Sequence, residues 1–332
     1  MLFSLDSATT PFERLRRPDF RGGNMSEAIA NCGGHITLLF SIHSDSEDLM
    51  QQGSRGAGFN VEAGVICRVS TKALEKGEDF SMSIAVFSDG VQIEDEEISF
   101  LYVDIFEEYL QQGLLDESLS YSIDVQLELP LSQGFGMSAA GLMACSTALC
   151  ELHNLDIDAA RIAHLIERRN SSGLGDVLAS TVGGVELRLE PGAPNSQGKA
   201  VSFVFDSEVI LCWDSKAKRH TSTYIDDENW KTSISSAGED AMSRLRVGDW
   251  KPNRWPDLIK EAQLFAEKSG MMEEKSRVHL LKRVENKLPD GYAVLLCMLG
   301  TSVCIIPEQA GEVPTSLTDS LEGIDYLRTW IS

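Results

Sequence analysis

The segment from Ser122 to Gly141 constrains the fold more than any other part of the chain. Ile123, Val125, Leu127 and Leu129 alternate with Ser122, Asp124, Gln126 and Glu128. That period of two belongs to a strand with one buried face and one wetter face, as in an antiparallel sheet. Pro130 ends the strand, Gly134-Phe135-Gly136-Met137 follows, and small residues open a predicted helix from Ser138 to about Leu152. A glycine loop entering a helix turns backbone N–H groups outward at the positive end of the helix dipole, which suits an anion such as phosphate. Ala139, Ala140 and Gly141 leave room for that anion to approach. A P-loop is excluded, because no lysine stands in the segment. A dinucleotide fold is excluded as well, since its first strand lies in a parallel sheet and is apolar on both faces. Glycines that serve only the close packing of a turn remain the alternative.

Composition narrows the partners. The chain has 332 residues, with 29 basic and 51 acidic side chains and a net charge of −22. Such a length supports one large core or two. Nucleic acid and anionic membranes both need a basic footprint, so neither is expected as a partner. The longest apolar run, Tyr292 to Leu299, is eight residues, far short of a bilayer crossing. Seven cysteines are scattered without a C-x-x-C pair, which reads as reduced thiols in a cytoplasmic protein. Residues 1 to 27 hold four arginines and no apolar signal core, and are expected to be a disordered extension.

Further strands are predicted at Ile36 to Ile42, Val61 to Val69, Ser83 to Phe87, Val91 to Ile93 and Val185 to Leu189, with Asp89-Gly90 as a hairpin turn. Gly53 to Gly58 reads as a glycine-rich turn. Helices are predicted at Tyr102 to Leu110 and from an Asp158 cap to Arg169. Pro191 to Gly198 has the composition of a linker. Beyond it, Val204 to Trp213 and Tyr292 to Leu299 look like strands. Glu239 to Val247, Trp255 to Ser269 and Lys275 to Lys287 look like helices. The expected division is therefore an N-terminal domain over 28–192 and a C-terminal domain over 193–332, both α+β.

Pro130-x-x-x-Gly134-Phe135-Gly136-Met137-Ser138-Ala139-Ala140 resembles the second motif of the GHMP kinases, in the form found in their pantoate kinase branch. Gly34-His35-Ile36-Thr37 resembles that branch's first motif, and Gly53 to Gly58 its glycine loop. Gly173-Leu174-Gly175-Asp176-Val177 resembles its acidic motif, and Met298 to Val303 a poorer form of the third motif. The resemblance runs in order from residue 28 to about 305. It implies a two-domain GHMP-kinase fold, with a ribosomal-protein-like N-terminal domain and a ferredoxin-like C-terminal domain. It also implies ATP-dependent phosphorylation of (R)-pantoate to (R)-4-phosphopantoate in archaeal-type coenzyme A synthesis. The alternatives are a GHMP kinase for another small alcohol, such as mevalonate or homoserine, and a catalytically silent binding protein on the same scaffold.

The same resemblance suggests roles. Gly134, Phe135, Gly136, Met137, Ser138, Ala139 and Ala140 would hold the ATP phosphates, and Ser138 and Glu167 a magnesium ion. Ser138 can equally cap a helix, and Glu167 can equally be a solvated residue beside Arg168 and Arg169. His164, one turn earlier, reads as a structural partner. Asp176 would accept or orient the proton of the acceptor hydroxyl, or else cap a short helix. His35 and Thr37 would meet the secondary hydroxyl of pantoate. Ser54, Arg55 and Gly56 would form its carboxylate site, because the arginine fork suits a carboxylate. Mevalonate-type relatives carry a lysine in the first motif where this chain offers His35, so the cation that offsets developing charge is left open. ATP, Mg²⁺ and pantoate are the expected partners, and a homodimer is allowed for.

Overall fold

The computed structural model describes residues 25–94, 96–215 and 228–332. Its order is β1 (Met25–His43), β2 (Gly53–Ala73), β3 (Met82–Ser88), β4 (Val91–Gln92), α1 (Glu96–Gln111), β5 (Leu119–Leu127), α2 (Met137–His153), α3 (Ala159–Arg169), α4 (Asp176–Ser180), β6 (Val185–Glu190) and β7 (Lys199–Phe203). Then come β8 (Glu208–Trp213), α5 (Glu228–Leu245), α6 (Trp255–Lys268), α7 (Lys275–Glu285), β9 (Tyr292–Leu296), β10 (Ser302–Pro307), α8 (Thr315–Asp319) and β11 (Asp325–Trp330). Among the described residues no helix is long and apolar enough to cross a membrane.

Two sheets carry the fold. The first has seven strands in the order β4-β3-β5-β2-β6-β7, with β1 paired along β2, and the second is an antiparallel β11-β8-β10-β9. The alternation in residues 122–129 is realised in β5. Ile123, Val125 and Leu127 are buried, while Ser122 and Asp124 on the other face are only partly covered. β5 is antiparallel to β2 but parallel to β3. The β3–β4 turn uses Asp89 and Gly90 at φ 51° and 74°, the doubly left-handed geometry that matches hairpin twist. Asp158 caps α3 by accepting from the N–H of Ala160 and Arg161.

Three sequence expectations are corrected. Residues 1–24 of the expected extension lie outside the described residues, but Met25, Ser26 and Glu27 open β1, paired with Lys72, Thr71 and Ser70. Pro191 to Gly198 is no interdomain linker. It joins β6 to β7, and β7 completes the first sheet, so the change of sheet comes between Phe203 and Glu208 rather than near 192. Gly53 to Gly58 is not a turn but the start of β2, hydrogen-bonded to β1 on one side and, from Gly56, to β6 on the other.

Aromatic residues tie the halves together. Trp255 of α6 packs edge-on to Phe59 of β2 at 6.2 Å and stacks on Phe205 at 4.5 Å. Its indole N–H donates to the carbonyl of Pro307 at 2.9 Å, as a buried indole requires. Phe40 of β1 meets Phe265 of α6 at 5.8 Å. The two sheets therefore share one apolar core, and β1 stands where that core meets the glycine loop.

Candidate active site

One wall of the site is backbone. Gly134 and Gly136 have φ values of 75° and 69°, and Gly136 is the N-cap of α2, with no side-chain cap. The first bond of the helix runs from Ala140 N to Gly136 O at 2.9 Å. The N–H groups of Met137, Ser138 and Ala139 are thus outside the helical ladder. Ser138 is the second residue of the helix, not its cap. Close packing and anion geometry coincide here. A Cβ on Gly136 would lie 2.9 Å from the His35 nitrogen, and one on Gly134 2.5 Å from the Met298 carbonyl oxygen. The loop after β9 seals this wall, with Met298 N donating to Thr37 O at 3.1 Å and the Ser302 hydroxyl donating to the Gln133 carbonyl.

In front of the wall is a cavity of about 590 Å³. Gly134 to Ser138 line it, as do Thr37, Ser54, Asp176 and Arg188. Ile98, Phe100, Leu101, Pro130 and Leu131 give it an apolar side, and Asn170, Ser171 and Ser172 a polar one.

The opposite wall is made of charged side chains. Asp176 opens the five-residue helix α4 and takes two hydrogen bonds on Oδ1, from His35 Nδ1 at 2.6 Å and from Thr37 Oγ1 at 3.2 Å. Oδ2 has no hydrogen-bond partner among the described residues. His35 Nε2 lies 3.0 Å from Glu186 Oε1, and Arg188 Nε stands 3.7 Å from the same oxygen. Arg188 also reaches Thr37 Oγ1 at 3.4 Å. Burial opposes charge on the His35 ring, yet the bonds to Asp176 and Glu186 raise its pKa. Burial would likewise raise the Asp176 carboxyl, but the His35 bond, the His35 and Arg188 charges and the Thr37 hydroxyl hold it below the ordinary value.

Glu167 is fully buried and neither carboxylate oxygen has a hydrogen-bond partner. Burial, with the Asp176 charge second, pushes its pKa up to about 8. It lies directly beneath Gly173, where a Cβ would run into the carboxylate, and Gly173 lines the cavity. Among the described residues no group of three or more His, Cys, Asp or Glu could hold a metal alone. Of the two expected ligands, the Ser138 hydroxyl lines the cavity, while the orphaned Glu167 carboxylate lies behind Gly173 and does not line it. Two hard oxygens that leave the other positions to phosphate and water suit Mg²⁺ rather than zinc. His164 is neutral in this fold: burial drives its pKa down to about 4, and Nε2 is 3.3 Å from the Leu49 carbonyl oxygen.

Several expected site residues are placed elsewhere. Arg55 does not line the cavity. Its Nε donates to the Leu189 carbonyl at 3.1 Å, and its outer nitrogens pair with Glu190 at 3.1 Å and Glu239 at 3.4 Å. Gly56 sits behind Arg188, where a Cβ would be 2.6 Å from a guanidinium nitrogen. His35 is 1% exposed and lies behind Asp176, out of reach of a ligand hydroxyl. Ala139 and Ala140 are buried in the body of α2 and do not line the cavity. Glu167 is not the solvated residue of the alternative reading. Sequence reasoning missed Arg188 and Glu186. Their strand alternates apolar and charged residues from Val185 to Glu190, the pattern of a wet face, and only assembly shows that this face is covered.

Residues 101–184 match the model of the GHMP kinases N terminal domain. Pantoate kinase of Methanospirillum hungatei JF-1 is 30% identical over 297 residues, 87% of this chain and 93% of that protein. The chain belongs to the pantoate kinase family of GHMP kinases. Pantoate kinase of Methanocaldococcus jannaschii is 28% identical over 73% of this chain and 80% of that protein. A solved phosphotransferase related to the CoA biosynthesis pathway superposes with a TM-score of 0.72 at 22% identity, covering 92% of this chain and 96% of its own. In this GHMP kinase the first, second, acidic and third motifs, distant in sequence, all meet at the one cavity.

Proposed function

We propose that the chain transfers the γ-phosphoryl group of ATP to the primary hydroxyl of (R)-pantoate, giving ADP and (R)-4-phosphopantoate in coenzyme A synthesis. One observation carries this reading. Asp176, with Oδ2 unpartnered, lines the same cavity as the free N–H groups at the α2 entrance, so an acceptor hydroxyl and a phosphate chain can be held facing one another. Phosphoryl transfer asks mainly for positioning and charge neutralisation. The N–H groups of Met137 and Ser138, which line the cavity, bind phosphate oxygens. Asp176 Oδ2 accepts the hydroxyl hydrogen bond and takes the proton as the new P–O bond forms and the β–γ bridge breaks. A carboxylate held ionised is adequate here, because in a loose transition state the hydroxyl gives up its proton late.

Arg188 takes the place that Arg55 was expected to fill. It is a nearly wholly buried cation lining the cavity, in a protein whose overall charge of −22 repels an anionic substrate. Its fork binds the pantoate carboxylate. The apolar side formed by Ile98, Phe100, Leu101 and Leu131 suits the adenine ring. Ser138 and Glu167 would hold magnesium, which would supply charge neutralisation to the phosphate chain. All seven cysteines are free thiols, which supports a cytoplasmic setting. We set the division between the two units at residues 204–207.

The test is an ADP-release assay with (R)-pantoate, mevalonate and homoserine. Turnover with pantoate at a kcat/KM at least tenfold above the others is expected. No turnover with pantoate while another alcohol reacts would move the substrate and leave the kinase standing. Absence of ADP release with every acceptor would favour the silent binding protein.

A further inference from the structure

His35 is placed to act on the reaction without meeting a substrate. Its backbone N–H donates to the Phe135 carbonyl of the phosphate loop at 3.1 Å, and its ring extends away from the cavity behind Asp176. Gly58 makes room for that ring, because a Cβ there would be 3.1 Å from Nε2. Both ring nitrogens face carboxylate oxygens, Asp176 Oδ1 at 2.6 Å and Glu186 Oε1 at 3.0 Å. A histidine that donates from both nitrogens is an imidazolium.

The charged groups around it come from three elements. Asp176 is on α4, and Glu186 and Arg188 are on β6, while Glu167 of α3 acts on Asp176 through its charge. Two anions, Asp176 and Glu186, are thus matched by two cations, His35 and Arg188. Thr37 adds a second bond to Oδ1 at 3.2 Å, so that oxygen is occupied and the carboxylate can turn only Oδ2 to a ligand. Glu186 is fully buried. Its one close hydrogen-bond partner among the described residues is the His35 ring.

We propose that His35 and Glu186 form a buried positioning pair. In it Glu186 holds the imidazolium, and the imidazolium fixes Asp176 with Oδ2 towards the acceptor hydroxyl. The pair supplies a fixed cation beside the catalytic carboxylate in a stretch that carries no lysine. Neither residue touches substrate. The proposal rests on the reading of Asp176 given above.

His35→Asn, Glu186→Gln and the double variant test it, with kcat and the KM for pantoate and for ATP measured separately over pH 5.5–9. His35→Asn keeps a short neutral donor towards Asp176. It is expected to lower kcat roughly 10–100-fold, with both KM values within about threefold of wild type. The acid limb of kcat should move up by roughly one pH unit, since an adjacent opposite charge depresses a carboxylate by about that much or more. Glu186→Gln should lower kcat less, roughly 3–10-fold, and add a falling alkaline limb as the less supported ring loses its proton. The double variant should have a kcat no lower than that of His35→Asn, because the close contact of Glu186 is with His35, and Arg188 stands farther off at 3.7 Å.

A wild-type kcat and an unmoved limb in His35→Asn would overturn the proposal. So would a loss confined to the KM for pantoate, which would put the ring on the substrate, or additive losses in the double variant. If His35→Asn does not fold, Glu186→Gln decides, and a profile of wild-type shape overturns the pair. Asp176→Asn separates the two levels. If it remains active, the reading of Asp176 has failed. If it is inactive while His35→Asn and Glu186→Gln behave as wild type, only the positioning pair has failed.

Discussion

The two walls of the cavity are built from different materials. The wall at the entrance of α2 is main chain, made from left-handed glycines, free N–H groups and a helix end. The facing wall is side chain, a set of buried charges on β1, α4 and β6 that are neutral only as a group. The difference teaches how each recognises its ligand. A main-chain wall offers donors that cannot be deprotonated, and tolerates changes in side-chain identity wherever the backbone path survives. A side-chain wall can deliver a proton acceptor and a localised cation, but each member depends on the others for its charge state.

The contrast breaks most sharply at Asp176. Asp176→Asn keeps the shape and removes the acceptor, so kcat should fall roughly 10²–10⁴-fold while the KM for ATP stays near wild type. More than half of wild-type kcat would reduce Asp176 to the first residue of α4. Next comes a comparison of two arginines. Arg188→Lys should raise the KM for pantoate roughly 10–150-fold, the equivalent of about 1.5–3 kcal/mol for a charge-assisted contact. Arg55→Lys should leave it within about twofold, because Arg55 spends its donors on Leu189, Glu190 and Glu239. Equal effects would show that the cavity lining misassigns the cation.

The main-chain wall is probed at Gly136. Gly136→Ala places a Cβ at φ 69° and 2.9 Å from the His35 nitrogen. It should destabilise the fold by about 1–3 kcal/mol and raise the KM for ATP more than that for pantoate. Calorimetry and the two KM values check this, and an unchanged melting temperature would contradict the close approach. The smallest effect on folding is expected at Glu167. Its carboxyl is largely protonated near neutrality at a pKa of about 8, so Glu167→Gln should leave the melting temperature of the ligand-free protein almost unmoved. The magnesium concentration needed for half-maximal rate should nevertheless rise several-fold, and Ser138→Ala should do the same. A Glu167→Gln variant with an unaltered magnesium requirement would remove Glu167 from the metal site.

How much of this was legible beforehand differs between the two walls. The glycine loop, the helix behind it and the strand before it could be read, because backbone conformation and period-two burial are local properties. On the other wall, Asp176 and Thr37, each carried by a short motif, do line the cavity. Arg55, chosen by residue type alone, does not line it. Arg55 has the proper chemistry and the wrong surroundings, and the glycines beside it clear space for Arg188 and His35 rather than for a ligand.

The sequence by itself determined β5, the glycine-led entrance of α2 and the family, since each is encoded over a short run of chain. Only the tertiary structure decided which charges meet. Glu186 and Arg188 look like the outer face of an alternating strand until α4 brings Asp176 against that face, and Gly56 and Gly58 of the intervening β2 leave room for Arg188 and for His35 of β1. Charge state follows from neighbours that are 141 and 151 residues away in the chain. Coulomb energy and desolvation depend on distance in space and on the water excluded from it, and neither is a property of sequence separation.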